Sequence, residues 1–177
     1  MYNDAQFQAL LRFYNLIEKH KIPRETTRVA GSYGLYLQKK LRKGDKPSDI
    51  DVIAVDDAAF NHIIEALDSE GIEGKFTTVN EIIFDFMSRD IFEFHYNTQK
   101  IEVFDGDNIS AFLSGNLCAA NKLNIDGNIM YARPVELIKK DIEKALLRHH
   151  PYTGEPSVGN KATKYQERLD YMNSLHC

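Results

Sequence analysis

Residues 28–55 hold the two segments that decide the fold: Arg-Val-Ala-Gly-Ser-Tyr-Gly-Leu-Tyr-Leu at 28–37 and Pro-Ser-Asp-Ile-Asp-Val-Ile-Ala-Val at 47–55. The first begins as a short apolar strand, and the second reads as a strand that carries Asp49 and Asp51. Side chains alternate along a strand, so the two aspartates share one face while their apolar neighbours turn to the other. Adjacent carboxylates repel each other, and a fold keeps them mainly when a cation lies between them. Hard oxygen ligands of this kind suit Mg²⁺, which binds one or two carboxylates together with substrate phosphates.

A glycine–serine turn, Gly31-Ser32, follows the first strand and precedes a helix-like stretch. Glycine lets the backbone approach a ligand closely, and unpaired amides at the start of a helix favour an anion. The turn and the nearby aspartates together predict a site for a nucleoside triphosphate. Two basic residues between the segments, Lys40 and Arg42, are candidates for neutralising its phosphates. A solvated helix face and loop would have the same basic composition.

The combination resembles the nucleotidyltransferase fold of the DNA polymerase β superfamily, whose pattern is apolar-Gly-Ser, a helix, then Asp-apolar-Asp. In length and layout the chain is similar to the small antibiotic nucleotidyltransferases of the lincosamide type. The resemblance is strong over 28–55 and weaker as far as residue 105. One departure is the stretch 33–48, which is longer than this family usually has, and we assign the extra residues to the polar loop 42–47.

The resemblance also implies a third carboxylate on a later strand, flanked by apolar residues. Glu102, between Ile101 and Val103, fits this description, and Glu93 and Asp105 are alternatives. We favour Glu102 because the lincosamide-type enzymes place this acid on the strand that closes a hairpin.

The mechanism implied by the resemblance is in-line attack of a hydroxyl on the α-phosphate of a nucleoside triphosphate, with ATP as the expected donor. Asp49, Asp51 and Glu102 would be the catalytic residues and the ligands of two Mg²⁺ ions. Gly31 and Ser32 would bind the terminal phosphates, and pyrophosphate would leave. Phosphoryl transfer depends mostly on positioning and charge neutralisation, so few catalytic residues are needed.

The composition and charge of the chain limit the classes of partner that we expect it to bind. The chain has 177 residues, a formal net charge of −4 and 43% apolar residues, with an isoelectric point of 5.9. This charge argues against a protein that grips long nucleic acid by its phosphates. No run has the apolar length of a membrane span, so we expect no membrane partner and a cytoplasmic location. The resemblance also implies a homodimer, because small enzymes of the resembling families often complete the acceptor site with a second subunit.

Periodicity and the resemblance together predict an α+β fold: a nucleotidyltransferase-like mixed sheet with helices packed on it and a C-terminal helical segment. The nucleotidyltransferase core with its N-terminal helix would occupy 1–108, and the helical segment 109–177. Helical spacing of apolar residues predicts helices over 7–17, 34–42, 60–67, 134–146 and 162–172. Apolar or alternating runs predict strands over 26–30, 48–55, 76–79, 82–87, 91–96 and 100–104.

Three functions stay open on these residues. The first is transfer of a nucleoside monophosphate to a hydroxyl of a small molecule, and antibiotic resistance is the expected context. The second keeps the chemistry but uses a protein side chain or an RNA end as acceptor, as in toxin–antitoxin nucleotidyltransferases. The third is a non-catalytic nucleotide-binding module of the same fold.

Overall fold

A computed structural model describes residues 4–77, 90–147 and 161–174 of the chain. Its helices are α1 (Ala5–Lys19), α2 (Gly31–Leu37), α3 (Asp57–Ser69), α4 (Gly106–Ile109), α5 (Val135–Leu147) and α6 (Ala162–Ser174). Its strands are β1 (Thr27–Ala30), β2 (Ile50–Ala54), β3 (Gly74–Thr77), β4 (Ile91–Tyr96), β5 (Gln99–Asp105), β6 (Asn121–Ile125) and β7 (Asn128–Ala132).

The described strands form one mixed sheet in the order β3-β4-β5-β2-β1-β7-β6. The central strand β2 runs parallel to β5 and antiparallel to β1, and β1 runs parallel to β7. The remaining neighbours are antiparallel hairpins or ribbons. The predicted α+β class with a mixed sheet is therefore confirmed.

One face of the sheet forms the main hydrophobic core. The buried side chains of β2 on this face, Ile50 and Val52, pack in the same cluster as Leu10 and Phe13 of α1 and Ile63 of α3. Burying this apolar surface is the main source of the free energy that holds the two helices on the sheet. The aspartate between Ile50 and Val52 is directed to the opposite face, as the alternation predicts.

The helices α1 and α3 begin where short acidic residues cap them. The Asp4 carboxylate accepts a hydrogen bond from the Phe7 amide, and the Asp56 carboxylate accepts one from the Ala59 amide. Each bond satisfies an amide that has no partner inside its helix. Pro134 precedes α5, and its carbonyl accepts the first bonds of that helix. Helices α1 and α3 begin two and three residues before the predicted ranges, and α5 begins one residue after Pro134.

The helix after β1 differs from the prediction over 34–42, because α2 starts at Gly31 and ends at Leu37. Lys39 has φ of 60°, a left-handed conformation that a helix cannot continue through. Residues 38–49 are neither helix nor strand. The chain therefore connects α2 to β2 through a long loop, which includes the polar segment 42–47.

The strands β6 and β7 correct the prediction that 109–177 is a helical segment. They form an antiparallel hairpin closed by Asp126 and Gly127, both of which have positive φ. An Asp-Gly pair in this conformation is a strong signal for a two-residue hairpin turn. Helices α5 and α6 follow the hairpin, so the helical prediction is right only after residue 134.

The predicted strand over 82–87 and the end of the one over 76–79 lie outside the described residues. Within the part of the chain that the structure describes, none of the helices has the length and apolar character needed to cross a bilayer.

Candidate active site

The face of the sheet opposite the main core carries a row of charged side chains. Asp51 of β2 is paired in register with Glu102 of the parallel strand β5. Glu102 is in turn paired with Glu93 of β4, and Glu93 with Lys75 of β3. On the other flank Asp51 is paired with Ala30 of β1. Paired residues share a face, so this register brings Asp51, Glu102 and Glu93 together on neighbouring strands.

A lysine lies among these carboxylates. Lys100 precedes Glu102 by two residues on β5, and its Nζ lies 2.8 Å from Glu93, 3.3 Å from Asp49 and 3.7 Å from Glu102. Asp49 precedes Asp51 by two residues, so both aspartates face this ammonium group. The structure thus brings Asp49, Asp51 and Glu102 together with Glu93, one of the alternative third carboxylates, and adds Lys100.

The electrostatics of the row reflect its crowding. Burial raises the pKa of Asp51 well above its usual range, and the negative charges of Glu102 and Asp49 raise it further. Burial also raises the pKa of Glu102 to about 7. The positive charge of Lys100 opposes this rise, and a hydrogen bond to Asp49 adds to it. In contrast, the pKa of Glu93 is lowered, mainly because Glu93 accepts a hydrogen bond from Lys100. The site therefore holds more negative charge than its one central ammonium group compensates.

Gly31 lies directly beside the Asp51 carboxylate, and Ser32 contacts the residue that precedes Asp49. Gly31 has φ of 60°, and a Cβ at this position would overlap the Oδ2 of Asp51. Glycine is therefore required both by the backbone conformation and by the room that Asp51 occupies. The Ser32 hydroxyl accepts a hydrogen bond of 3.1 Å from the amide of Ser48, and it lies 3.3 Å from the Ser48 hydroxyl. Ser32 thereby fixes the residue that immediately precedes Asp49.

The two basic residues predicted to contact phosphates lie elsewhere. Arg42 is paired with Asp45 at 3.0 Å and with Glu167 of α6 at 3.2 Å. Lys40 lies beyond the C-terminal end of α2, in a depression of about 540 Å³ that it lines together with Lys39 and Lys122. Gly31 therefore lies next to the Asp51 carboxylate, whereas the contacts of Arg42 and the surroundings of Lys40 involve other residues.

Of the alternative third carboxylates, Asp105 does not join the row. It lies three residues after Glu102, so the alternation of β5 directs it to the other face. Its carboxylate caps α4 by accepting a hydrogen bond from the Asp107 amide. Glu93 lies in the row, but one strand farther from Asp51 than Glu102 does.

Comparison with solved structures bears on the fold. An antigenic nucleotidyltransferase-like protein from Paracoccidioides brasiliensis matches with a TM-score of 0.50 and 15% identity, over 94% of this chain and 74% of its own. The chain has a nucleotidyltransferase-like fold. The resemblance predicted from the glycine–serine turn and the two aspartates is thereby confirmed at the level of fold.

Two further solved structures match this nucleotidyltransferase-like chain at lower TM-scores. A lincosamide antibiotic adenylyltransferase bound to lincomycin matches over 94% of this chain and 96% of its own, with 13% identity and a TM-score of 0.49. A putative nucleotidyltransferase from Thermotoga maritima matches over 98% and 92%, with 16% identity and a TM-score of 0.42. No protein-family model matches the sequence, and no curated protein does.

The donor chemistry of the row suits a magnesium ion, because Asp49, Asp51 and Glu102 offer only hard carboxylate oxygens. The charge that crowds Asp51 and Glu102 is of the kind a divalent cation neutralises. As they stand, however, the described residues include no group of three or more His, Cys, Asp or Glu side chains arranged to hold a metal ion. The carboxylates surround the ammonium of Lys100 instead.

Two cations near the carboxylates were not among the predicted site residues of the nucleotidyltransferase-like fold. Lys100 could have been found from its i, i+2 spacing to Glu102, which places both on one face of a strand. The other is Lys161, immediately before α6, whose positive charge acts on Asp51 and opposes the rise in its pKa. No sequence signal brings Lys161 to β2, because that proximity depends on how α6 packs.

Proposed function

We propose that this protein is a metal-dependent nucleotidyltransferase that transfers a nucleoside monophosphate from a nucleoside triphosphate to a hydroxyl of a small molecule. The observation that carries the proposal is the register of Asp51 beside Glu102, with Asp49 on the same face. Neighbouring carboxylates on one face of a sheet repel one another and are partly desolvated, which lowers the stability of the fold unless a cation binds to them. A metal-binding function would account for the presence of these carboxylates on neighbouring strands.

In the proposed reaction Asp49, Asp51 and Glu102 would hold two Mg²⁺ ions. When bound, the ions would neutralise the charge of the triphosphate and lower the pKa of the attacking hydroxyl. Glu102, paired in register with Asp51, would hold the ion that activates that hydroxyl. The Asp51 carboxylate lies against the backbone of Gly31, so a metal ion that it holds would be close to the start of α2.

The triphosphate would bind along the start of α2, where Gly31 and Ser32 adjoin Asp51. The absence of a side chain at Gly31 lets a phosphate approach the backbone next to the carboxylates. Lys161 is the cation that we expect on the phosphates, because its charge already reaches Asp51. Arg42 is paired with Asp45 and Glu167, and its contact with a phosphate stays a prediction.

A cationic acceptor with a hydroxyl group would suit the acidic surroundings of the row. Asp49 is 39% exposed and Glu102 is 18% exposed, so these carboxylates border the solvent from which the acceptor arrives. A negative patch of this kind attracts cationic molecules. Hydroxyl-bearing cationic antibiotics are therefore the first acceptor class to test, in line with the expected role in antibiotic resistance.

The test is to incubate the protein with Mg²⁺, each nucleoside triphosphate and a panel of acceptors, and to detect the nucleotidylated product by mass spectrometry. The panel would contain hydroxyl-bearing antibiotics, an RNA mixture and a protein extract. We expect a small-molecule adduct with the wild type, none with Asp49→Asn, and an undiminished yield with Asp68→Asn, an exposed acid on α3. Modification of RNA or protein alone would contradict the proposed acceptor, and pyrophosphate release in none of the reactions would contradict catalysis.

A further inference from the structure

The ammonium group of Lys100 lies among three carboxylates on the face of the sheet opposite the main core. Its ammonium group contacts Asp49, Glu93 and Glu102, which come from the loop before β2 and from strands β4 and β5. Its side chain is only 31% exposed. The contacts are unequal, because Glu93 lies at 2.8 Å while Asp49 and Glu102 lie at 3.3 and 3.7 Å.

The carboxylates divide into two groups around this lysine. Glu93 has a second cation, since Lys75 lies 3.3 Å from its other oxygen. Asp49 and Glu102 make no other ion pair with a described residue besides Lys100. These two are also the residues that we assign as metal ligands with Asp51.

We propose that Lys100 is a built-in counter-cation, which holds Asp49 and Glu102 in place before a metal ion binds and moves onto Glu93 when one does. This inference rests on the proposed function, because it concerns the same carboxylates. Glu93 is then a positioning residue: it contacts neither metal nor substrate, but it provides the place to which Lys100 withdraws. Only a short movement is needed, because Glu93 is already the nearest partner of the ammonium group.

Competition between a lysine and a metal ion has a measurable consequence. Breaking the contacts of Lys100 with Asp49 and Glu102 costs free energy, which lowers the apparent affinity for the metal. Removing the lysine should therefore tighten metal binding by about fivefold or more, the factor that corresponds to ion pairs worth about 1 kcal/mol together. Removing Glu93 should have the opposite effect, because Lys100 then has only the two metal ligands as partners.

The experiment is calorimetric titration of the full chain with Mg²⁺ and with Mn²⁺, without nucleotide, on the wild type, Lys100→Met, Glu93→Gln and Asp51→Asn. Lys75→Met is the matched control, because it removes the same charge from the same face but contacts only Glu93 among the carboxylates. Thermal unfolding with and without metal gives a second readout. We expect tighter binding in Lys100→Met, weaker binding in Glu93→Gln, wild-type binding in Lys75→Met and loss of binding in Asp51→Asn.

The experiment distinguishes a failure of this inference from a failure of the proposed function. If the wild type binds metal and Asp51→Asn does not, but Lys100→Met binds no more tightly, this inference is overturned while the proposed function stands. If a metal response occurs only in Lys100→Met, the lysine blocks the site and does not withdraw from it, which overturns the inference and also contradicts the proposed function of the wild type. If no variant binds metal, this inference is overturned, and the proposed function is decided by the same titration with a nucleoside triphosphate present, because Mg²⁺ binds carboxylates together with substrate phosphates. If Lys100→Met does not fold, Glu93→Gln decides, since unchanged or tighter binding in that variant overturns the inference.

Discussion

Asp51 and Glu102 lie side by side on the parallel strands β2 and β5, in direct register. The chain separates them by a helix, α3, and by the strands β3 and β4. Their proximity therefore depends on the whole topology of the sheet, and not on a local motif. Parallel pairing of β2 with β5 places the two residues at the same level, and Asp49 lies on the same face two residues before Asp51.

Glu102 is expected to be the third carboxylate, and Asp105 is the natural control on the same strand. Glu102→Gln should lower the turnover number by a factor on the order of 100, the loss typical when one preorganised electrostatic group is removed. Asp105→Asn should leave turnover unchanged, because Asp105 is directed to the opposite face. The measurement is the rate of pyrophosphate release at saturating magnesium. Equal losses in the two variants would contradict the assignment of Glu102.

Gly31 is expected to be intolerant of any side chain. Gly31→Ala introduces a residue at φ of 60° and pushes a methyl group into the Asp51 carboxylate. Gly71→Ala is the matched control, because Gly71 has φ of 72° and a Cβ there would meet no atom within 4 Å. The control should lose about 1 to 2 kcal/mol of unfolding free energy from the backbone alone. Gly31→Ala should lose more and should also lose nucleotide binding; equal losses in urea denaturation would show that the Asp51 contact is unimportant.

Asp105 is expected to make stability depend on pH. Burial raises its pKa to about 6, and a hydrogen bond and charge repulsion with Asp57 contribute. A group with a raised folded-state pKa stabilises the protein below its unfolded pKa, about 4, and loses that contribution as pH rises through the folded value. The wild type should therefore lose on the order of 2 kcal/mol relative to Asp105→Asn between about pH 4 and pH 6. Urea denaturation across this range measures the difference, and parallel curves for the two proteins would contradict the prediction.

Arg133 is expected to depend on its partner Asp141 for stability. The Arg133 guanidinium is buried and donates to Asp141 at 2.5 and 3.0 Å, and to the Ser114 carbonyl. Asp141→Asn leaves a buried charge without its counter-ion, which should cost about 3 kcal/mol or more of unfolding free energy. Glu18→Gln, which breaks the exposed pair with Arg24, should cost less than about 1 kcal/mol. Similar midpoints of chemical denaturation for the two variants would contradict this account.

Strand alternation, a local signal, predicts from the sequence which face of its strand each carboxylate occupies, whereas the assignment of Glu102 beside the two aspartates came from the family resemblance. Asp49 and Asp51 flank Ile50 in an apolar, strand-like run, and Glu102 lies between Ile101 and Val103. Strand alternation then assigns a face to each residue before any pairing is known. The role of the three residues in catalysis stays a prediction.

Other parts of the molecule could not be predicted in this way. Lys39 ends α2 by adopting a left-handed conformation, and lysine carries no sequence signal for that. The partners of Arg42 on α6 and of Lys100 on β4 depend on tertiary packing and strand register. In contrast, the hairpin of β6 and β7 carried a usable signal, since Asp126-Gly127 marks a two-residue turn.

Asp51 is expected to belong to a metal-dependent nucleotide site. The most direct test is thermal unfolding of the wild type and Asp51→Asn with each nucleoside triphosphate, with and without Mg²⁺. A ligand at a hundredfold excess over its dissociation constant stabilises the native state by about 2.7 kcal/mol. We predict a magnesium-dependent rise in the melting temperature of the wild type with at least one nucleotide, and none in Asp51→Asn. An equal rise in both proteins, or no rise with any nucleotide, would contradict the claim.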